Sequence, residues 1–290
     1  MATYKELHGT DIEVVTSDPS NPVVGQVWYN TTTEQLKTQR QFLGNAWSSG
    51  GNLNTARWSL SGAGSQTSSL AIGGASNGAA GVTTEAYNGS SWTAVNDLNT
   101  GRNNSGTAGV NNTAALAFGG NEPNLNNTEV WNGTNWTEVN NLNTARRQLG
   151  GAGTSTSALG IGGSTPPSTE LGIVESWNGT NWTEVGDLNQ VRDYLGTAGA
   201  DNTSALAFGG NAPPATAVTE SWNGSAWYEV NDLNTARSRI TGTLGIATSA
   251  LMFGGSNAPR QQTESWDGTA WSERNDMNQG RQYHAGAAAN

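Results

Sequence analysis

Residues 131–146 read WNGTNWTEVNNLNTAR, and close copies of this stretch recur along the chain. Trp131 and Trp136 bracket Asn132-Gly133, a pair that favours a tight turn between two strands. Arg146 follows Trp136 by 10 residues. The same offset of 10 joins Trp47 to Arg57, Trp92 to Arg102, Trp182 to Arg192, Trp227 to Arg237 and Trp271 to Arg281. Successive units lie 44 to 46 residues apart, the period of a four-stranded propeller blade.

Between each arginine and the next aromatic, a short apolar run closes on Gly-Gly. These runs are Leu70–Gly74, Leu116–Gly120, Leu159–Gly163, Leu206–Gly210 and Leu251–Gly255. Glycine there supplies the positive φ of a turn. Inner strands such as Gly62-Ala63-Gly64 and Gly196-Thr197-Ala198-Gly199 carry small side chains, which suit backbones crowding round an axis. Repeats start near residues 53, 98, 142, 188 and 233. The sixth junction, Trp47 to Arg57, draws its apolar run from the N-terminus. There Val27–Thr31 aligns with Leu251–Gly255, and Asn30 tolerates a left-handed backbone. The expected fold is therefore all-β: a six-bladed propeller of four-stranded blades over residues 26–290. Its composite blade joins 26–49 to 282–290, the N-terminal strands pairing with the C-terminal strand to close the ring. Residues 1–25 lie outside the repeat as an arm.

Of the 290 residues 34% are apolar, a low share, yet 12 tryptophans supply core area that disordered segments lack. Cysteine is absent, which removes disulfides, thiolate metal ligands and thiol catalysis. A formal charge of −10 with two lysines argues against a nucleic-acid partner. No apolar run reaches bilayer length, and the opening Met1–Glu6 lacks an apolar signal core. Neither membrane insertion nor Sec export is expected, and no cofactor.

The tryptophans Trp47, Trp92, Trp136, Trp182, Trp227 and Trp271 are expected to pack between neighbouring blades. Glu85, Glu129, Glu175, Glu220 and Glu264 each stand two residues before the first aromatic of a unit, on the same strand face as the rings. A carboxylate buried there needs a partner. The once-per-unit arginines Arg57, Arg102, Arg146, Arg192, Arg237 and Arg281 are the expected partners. The composite blade carries Arg40 at the glutamate position.

The order Gly-Gly, Glu-x-aromatic, Trp and Leu-x-x-x-Arg resembles the kelch repeat over roughly residues 26–290. Kelch-like propellers with copper oxidase activity use a tyrosine crosslinked to cysteine. With no cysteine, and His8 and His284 as the two histidines, a comparable metal site is hard to assemble. Ser176–Trp182 is similar to the sialidase turn but comes without an acid, nucleophile and arginine cluster. The chain is expected not to be an enzyme. Ser17–Asn30 (SDPSNPVVGQVWYN), followed by Leu36-Lys37, resembles segments in tail and other virion proteins of tailed bacteriophages. That implies a tail-associated virion protein made in the host cytoplasm, with other virion proteins as partners. Residues 1–25 are expected either to dock onto such a partner or to pack across the propeller.

Function is expected where the repeat varies. Residues 75–83, 121–127, 164–173, 211–218 and 256–262 join second to third strands and share one face. The candidate binding residues in them are Asn121, Glu122, Asn124, Asn126, Ser168, Asn211, Asn257, Arg260 and Gln261. Trp28 and Trp58 fall outside the repeated positions and are candidates for stacking on sugar rings. The expected ligand is a host-surface glycan or protein, or another virion protein. A capsid decoration subunit without a receptor and a glycan-binding lectin are the alternatives.

Overall fold

The computed structural model describes residues 13–17, 27–38, 47–76, 78–121 and 125–288. The chain divides into two units, Met1–Asn45 and Ala46–Asn290. In the second unit the described residues form a ring of five four-stranded antiparallel blades. Blade 1 comprises Ser61–Ser65, Ser68–Ile72, Thr84–Tyr87 and Trp92–Ala94. Blade 2 comprises Gly106–Asn111, Ala114–Phe118, Thr128–Trp131 and Trp136–Val139. Blade 3 runs through Gly150–Gly153, Ala158–Ile161, Val174–Trp177 and Trp182–Glu184. Blade 4 runs through Gly196–Asp201, Ser204–Phe208, Thr219–Trp222 and Trp227–Val230. Blade 5 holds Ile240–Ile246, Ser249–Phe253, Thr263–Trp266 and Trp271–Arg274.

The expected composite sixth blade does not form, so the propeller has five blades rather than six. Val27–Asn30 was to pair with the C-terminal strand, but both of its edges are already filled. Glu13–Val15 lies parallel along one edge, and Gln35–Thr38 lies antiparallel along the other. The C-terminal strand His284–Ala288 instead pairs in parallel with Ile240–Ile246 of blade 5. It also lies against Ser61–Ser65 of blade 1, so one strand bridges the last blade to the first. Asn30 likewise differs from expectation. It is an extended residue opposite Gln35, and its Oδ1 accepts from the Thr32 and Thr33 amides to cap the turn. Arg40 lies outside the described residues.

The inner strands explain the small residues. A Cβ on Gly151 would come within 2.2 Å of the Thr107 carbonyl oxygen, and one on Gly62 within 2.7 Å of the Gly286 oxygen. Neighbouring inner strands also share side-chain bonds, from Thr107 Oγ1 to Gly62 O and from Thr197 Oγ1 to Gly151 O.

Each letter of the repeat has its own task between blades. The first aromatic of a unit faces the second across the hairpin, as Trp131 faces Trp136 and Trp177 faces Trp182. The second tryptophan reaches back to the preceding blade. Trp182 packs edge-on against Phe118 with centroids 4.8 Å apart, and its Nε1 donates to Thr128 Oγ1. Trp271 does the same with Phe208 and Thr219, and Trp47 with Phe253 and Thr263. Arg57, Arg102, Arg146 and Arg192 pair with Glu85, Glu129, Glu175 and Glu220, all essentially buried. The second glutamate oxygen takes the amide and side chain of the repeat asparagine, as Glu129 does with Asn99. For Glu85 burial acts to raise the pKa. The Asn54 amide, Arg57 and the Asn54 side chain outweigh it, so the carboxyl titrates below its ordinary range.

Candidate binding site

Each repeat arginine is followed by a pair of residues that differs from blade to blade: Trp58-Ser59, Asn103-Asn104, Arg147-Gln148, Asp193-Tyr194, Ser238-Arg239 and Gln282-Tyr283. The second residue of every pair has a left-handed backbone. The φ values are 51° at Ser59, 51° at Asn104, 60° at Gln148, 50° at Tyr194, 61° at Arg239 and 55° at Tyr283. These residues join one another round the axis through the backbone. The Asn104 amide donates to Ser59 O, Gln148 to Asn104 O, Tyr194 to Gln148 O and Ser59 to Tyr283 O. The turn carries the chain into an inner strand, so these residues form a collar where the six inner strands begin.

A left-handed backbone costs an L-residue roughly 1–2 kcal/mol. Glycine removes that cost, and this chain uses glycine at positive φ in the Gly-Gly turns, such as Gly119 and Gly120. It places none at the six collar positions. A side chain is held at each despite the strain, the pattern found where strain serves a site.

Part of the collar is an aromatic and cationic arc. Tyr194 and Tyr283 meet edge to face at 5.6 Å, the Arg239 guanidinium lies 4.7 Å from the Tyr283 ring centre, and Trp58 approaches Tyr283 at 6.1 Å. Gln148 locks this arc, donating to Tyr194 Oη at 2.6 Å while its Oε1 accepts from Ser164 Oγ. Burial, followed by the Tyr283 and Asp193 charges, raises the Tyr194 pKa, so its phenol stays neutral. Trp58 is 51% exposed.

The six pairs also carry small polar groups. Ser59 Oγ, Asn104 Oδ1 and Asp193 Oδ1 are buried and have no hydrogen-bond partner among the described residues. Burial raises the Asp193 carboxyl above its ordinary range, with the neighbouring Ser164 and Asn211 acting against the rise. Such orphans mark a place for ordered water or a ligand.

No family model matches this chain, and no curated protein is detectably similar to it.

The second-to-third-strand loops lean on this collar. Trp58 bridges to Ala75, Asn103 to Asn121, Arg147 to Ser164 and Asp193 to Asn211, and the Ser256 amide donates to Ser238 O. Among the expected binding residues, Asn121 accepts from Arg147 and Asn211 sits beside Asp193, so both border the collar. Asn257 instead donates to Ala236 O, and Asn126 to Leu142 O, which are framework contacts. The Gln261 and Arg260 carbonyls accept from the Met277 and Arg281 amides. The Ser168 hydroxyl bonds the Pro167 carbonyl on the surface. Glu122 and Asn124 lie outside the described residues. Trp28 is buried at 5% exposure and presents no open stacking face, unlike Trp58. Elsewhere, an open polar depression of about 490 Å³ lies beside Tyr87, Gln66 and Ser48–Gly51, without a charged group. No cluster of three or more His, Cys, Asp or Glu among the described residues could hold a metal ion.

Proposed function

We propose that this chain is a non-enzymatic binding module whose ligand seats on the collar of Ser59, Asn104, Gln148, Tyr194, Arg239 and Tyr283. One observation carries the reading: six side chains are kept at strained positions where glycine would fold more easily. The collar also has the make-up of a recognition surface, with rigid aromatics, an arginine and buried polar groups lacking partners among the described residues.

The setting we propose is the virion of a tailed bacteriophage. The resemblance of Ser17–Asn30 to virion segments supports it. There the collar and its loops engage a host surface or a second virion protein. The test compares binding of the purified full chain to host cells and to particles lacking it. The variants are Trp58→Ala and Gln148→Ala, with Asn257→Ala as a framework control. Loss of cell binding by at least tenfold in the two collar variants, with the control intact, supports the adhesin role. Binding to particles alone would make the chain an assembly or decoration subunit. Binding that neither collar variant weakens would sink the site itself.

A further inference from the structure

The collar combines three features that one class of ligand satisfies together. First, Trp58 offers an exposed indole face, and the Arg239 guanidinium lies on the neighbouring Tyr283 ring. Both contact Tyr283, so a flat apolar platform and a held cation lie within reach of one or two ring units. Second, Asn104 Oδ1 and Asp193 Oδ1 are buried acceptors without partners among the described residues, and Ser59 Oγ is a buried hydroxyl in the same state. A ligand rich in hydroxyl donors would relieve groups that otherwise cost free energy. Third, the arginines at the collar are placed differently from the repeat arginines. Arg57, Arg102, Arg146 and Arg192 each hold a glutamate. Neither Arg147 nor Arg239 has a carboxylate within ion-pair distance among the described residues. Arg147 bonds Asn121 Oδ1 and the Pro167 carbonyl, and Arg239 contacts Gln282 Oε1.

Apolar faces, hydroxyl donors and a negative group occur together in an acidic saccharide. From this geometry, and resting on the collar being the binding site, we infer that the ligand is a saccharide whose ring carries a carboxylate or sulfate. The ring stacks on Trp58, its anion meets Arg239, and its hydroxyls face the polar groups of the collar. The stacked guanidinium is pre-oriented for two parallel hydrogen bonds to such an anion, which a lysine could not match. Asp193 and Glu170 are carboxylates close by, with Arg147 acting against them at Asp193. For a chain of net charge −10, an anionic ligand without this local contact would be repelled.

The test is titration calorimetry of the full chain against polygalacturonate, dextran sulfate and neutral dextran, at low and physiological salt. The proteins are the parent, Trp58→Ala, Arg239→Gln and, as a control on the outer strand of blade 5, Arg274→Gln. Near-ultraviolet circular dichroism confirms that each variant is folded. The expected result is binding to one or both anionic polymers and at least tenfold weaker binding to dextran. Trp58→Ala and Arg239→Gln each lose at least tenfold, Arg274→Gln is unchanged, and salt weakens the parent more than Arg239→Gln. Preference for the uronate or the sulfate then names the source of the charge. Dextran binding equal to the anionic polymers and sensitive to Trp58→Ala would overturn the acidic class while leaving the collar reading intact. Anion binding unaffected by Arg239→Gln would overturn the assignment of that residue. If no polymer binds while cell binding still depends on Trp58, the saccharide class fails and the collar stands. Cell binding indifferent to both collar variants would remove the collar reading as well.

Discussion

At the scale of single residues, the repeat is informative where one copy departs from the others. Trp136, Trp182, Trp271 and Trp47 each donate from Nε1 to a threonine of the preceding blade: Thr84, Thr128, Thr219 and Thr263. Blade 3 carries Val174 at that place, and Trp227 Nε1 is buried without a partner among the described residues. Val174→Thr is nearly isosteric and supplies the missing acceptor. It is expected to stabilise the fold by about 1 kcal/mol, raising Tm by about 2–4 °C. Thr219→Val should do the reverse by stranding Trp271, and thermal denaturation of the pair reads both signs. The glutamates offer a second contrast. Glu175 is held by Arg146, whereas Arg237 turns to Gln262 and leaves Glu264 Oε1 without a partner among the described residues. Glu175→Gln should cost about 3 kcal/mol, because it leaves a buried arginine uncompensated. Glu264→Gln should cost clearly less. Equal costs in urea denaturation would show that the ion pair itself contributes little.

At the scale of elements, the turn into each inner strand sets fold stability against function. Ser59 has φ 51°, a buried hydroxyl without a partner among the described residues, and little bulk to lose. Ser59→Gly should therefore stabilise the fold by about 1 kcal/mol, read as a rise in urea midpoint. A loss of stability would mean that the Ser59 side chain has a structural bond after all. The blades themselves were legible in the sequence because every repeated letter has its own task. Tryptophans fill the gaps between blades, Asn and Arg hold the glutamate, and glycine allows the close approach of inner strands. The number of blades was not legible. The spacing of Val27–Thr31 imitates a second strand, but pairing depends on which edge is free, and Glu13–Val15 fills it. The collar was missed for another reason. Left-handed backbone announces itself in sequence only through glycine or asparagine, and five of the six residues are neither. A usable signal was present in the pairs after each constant arginine, which vary within the most regular part of the repeat. Of the residues named in the longer loops, Asn121 and Asn211 border the collar.

At the scale of the whole molecule, ring closure rests on His284–Ala288, which joins blade 5 to blade 1 without a blade of its own. Its first residue stands three positions after Arg281, where the other units have Leu60, Ser105, Leu149, Leu195 and Ile240. His284 packs against Phe253 with ring centres 5.1 Å apart. Burial, reinforced by the charge of Arg281 and opposed by the Phe253 backbone, pushes its pKa down from 6.5 to about 4. Between these values the unfolded chain binds a proton that the folded ring refuses. Stability therefore falls as the pH drops from about 6.5 to about 4, by on the order of 2–3 kcal/mol. Glu85 and Asp201 have lowered pKa values and withdraw their support from the acid end of that window downward. Asp193, raised by burial, gains a proton on folding and works in the opposite sense. Replacing His284 by the leucine that other units carry isolates the effect. His284→Leu should remove most of the stability loss between pH 6.5 and 4 and leave the collapse below pH 4 in place, as followed by urea denaturation at several pH values. If the two proteins lose stability in parallel across that window, the acid sensitivity of the ring lies in its carboxylates and not in the strand that closes it.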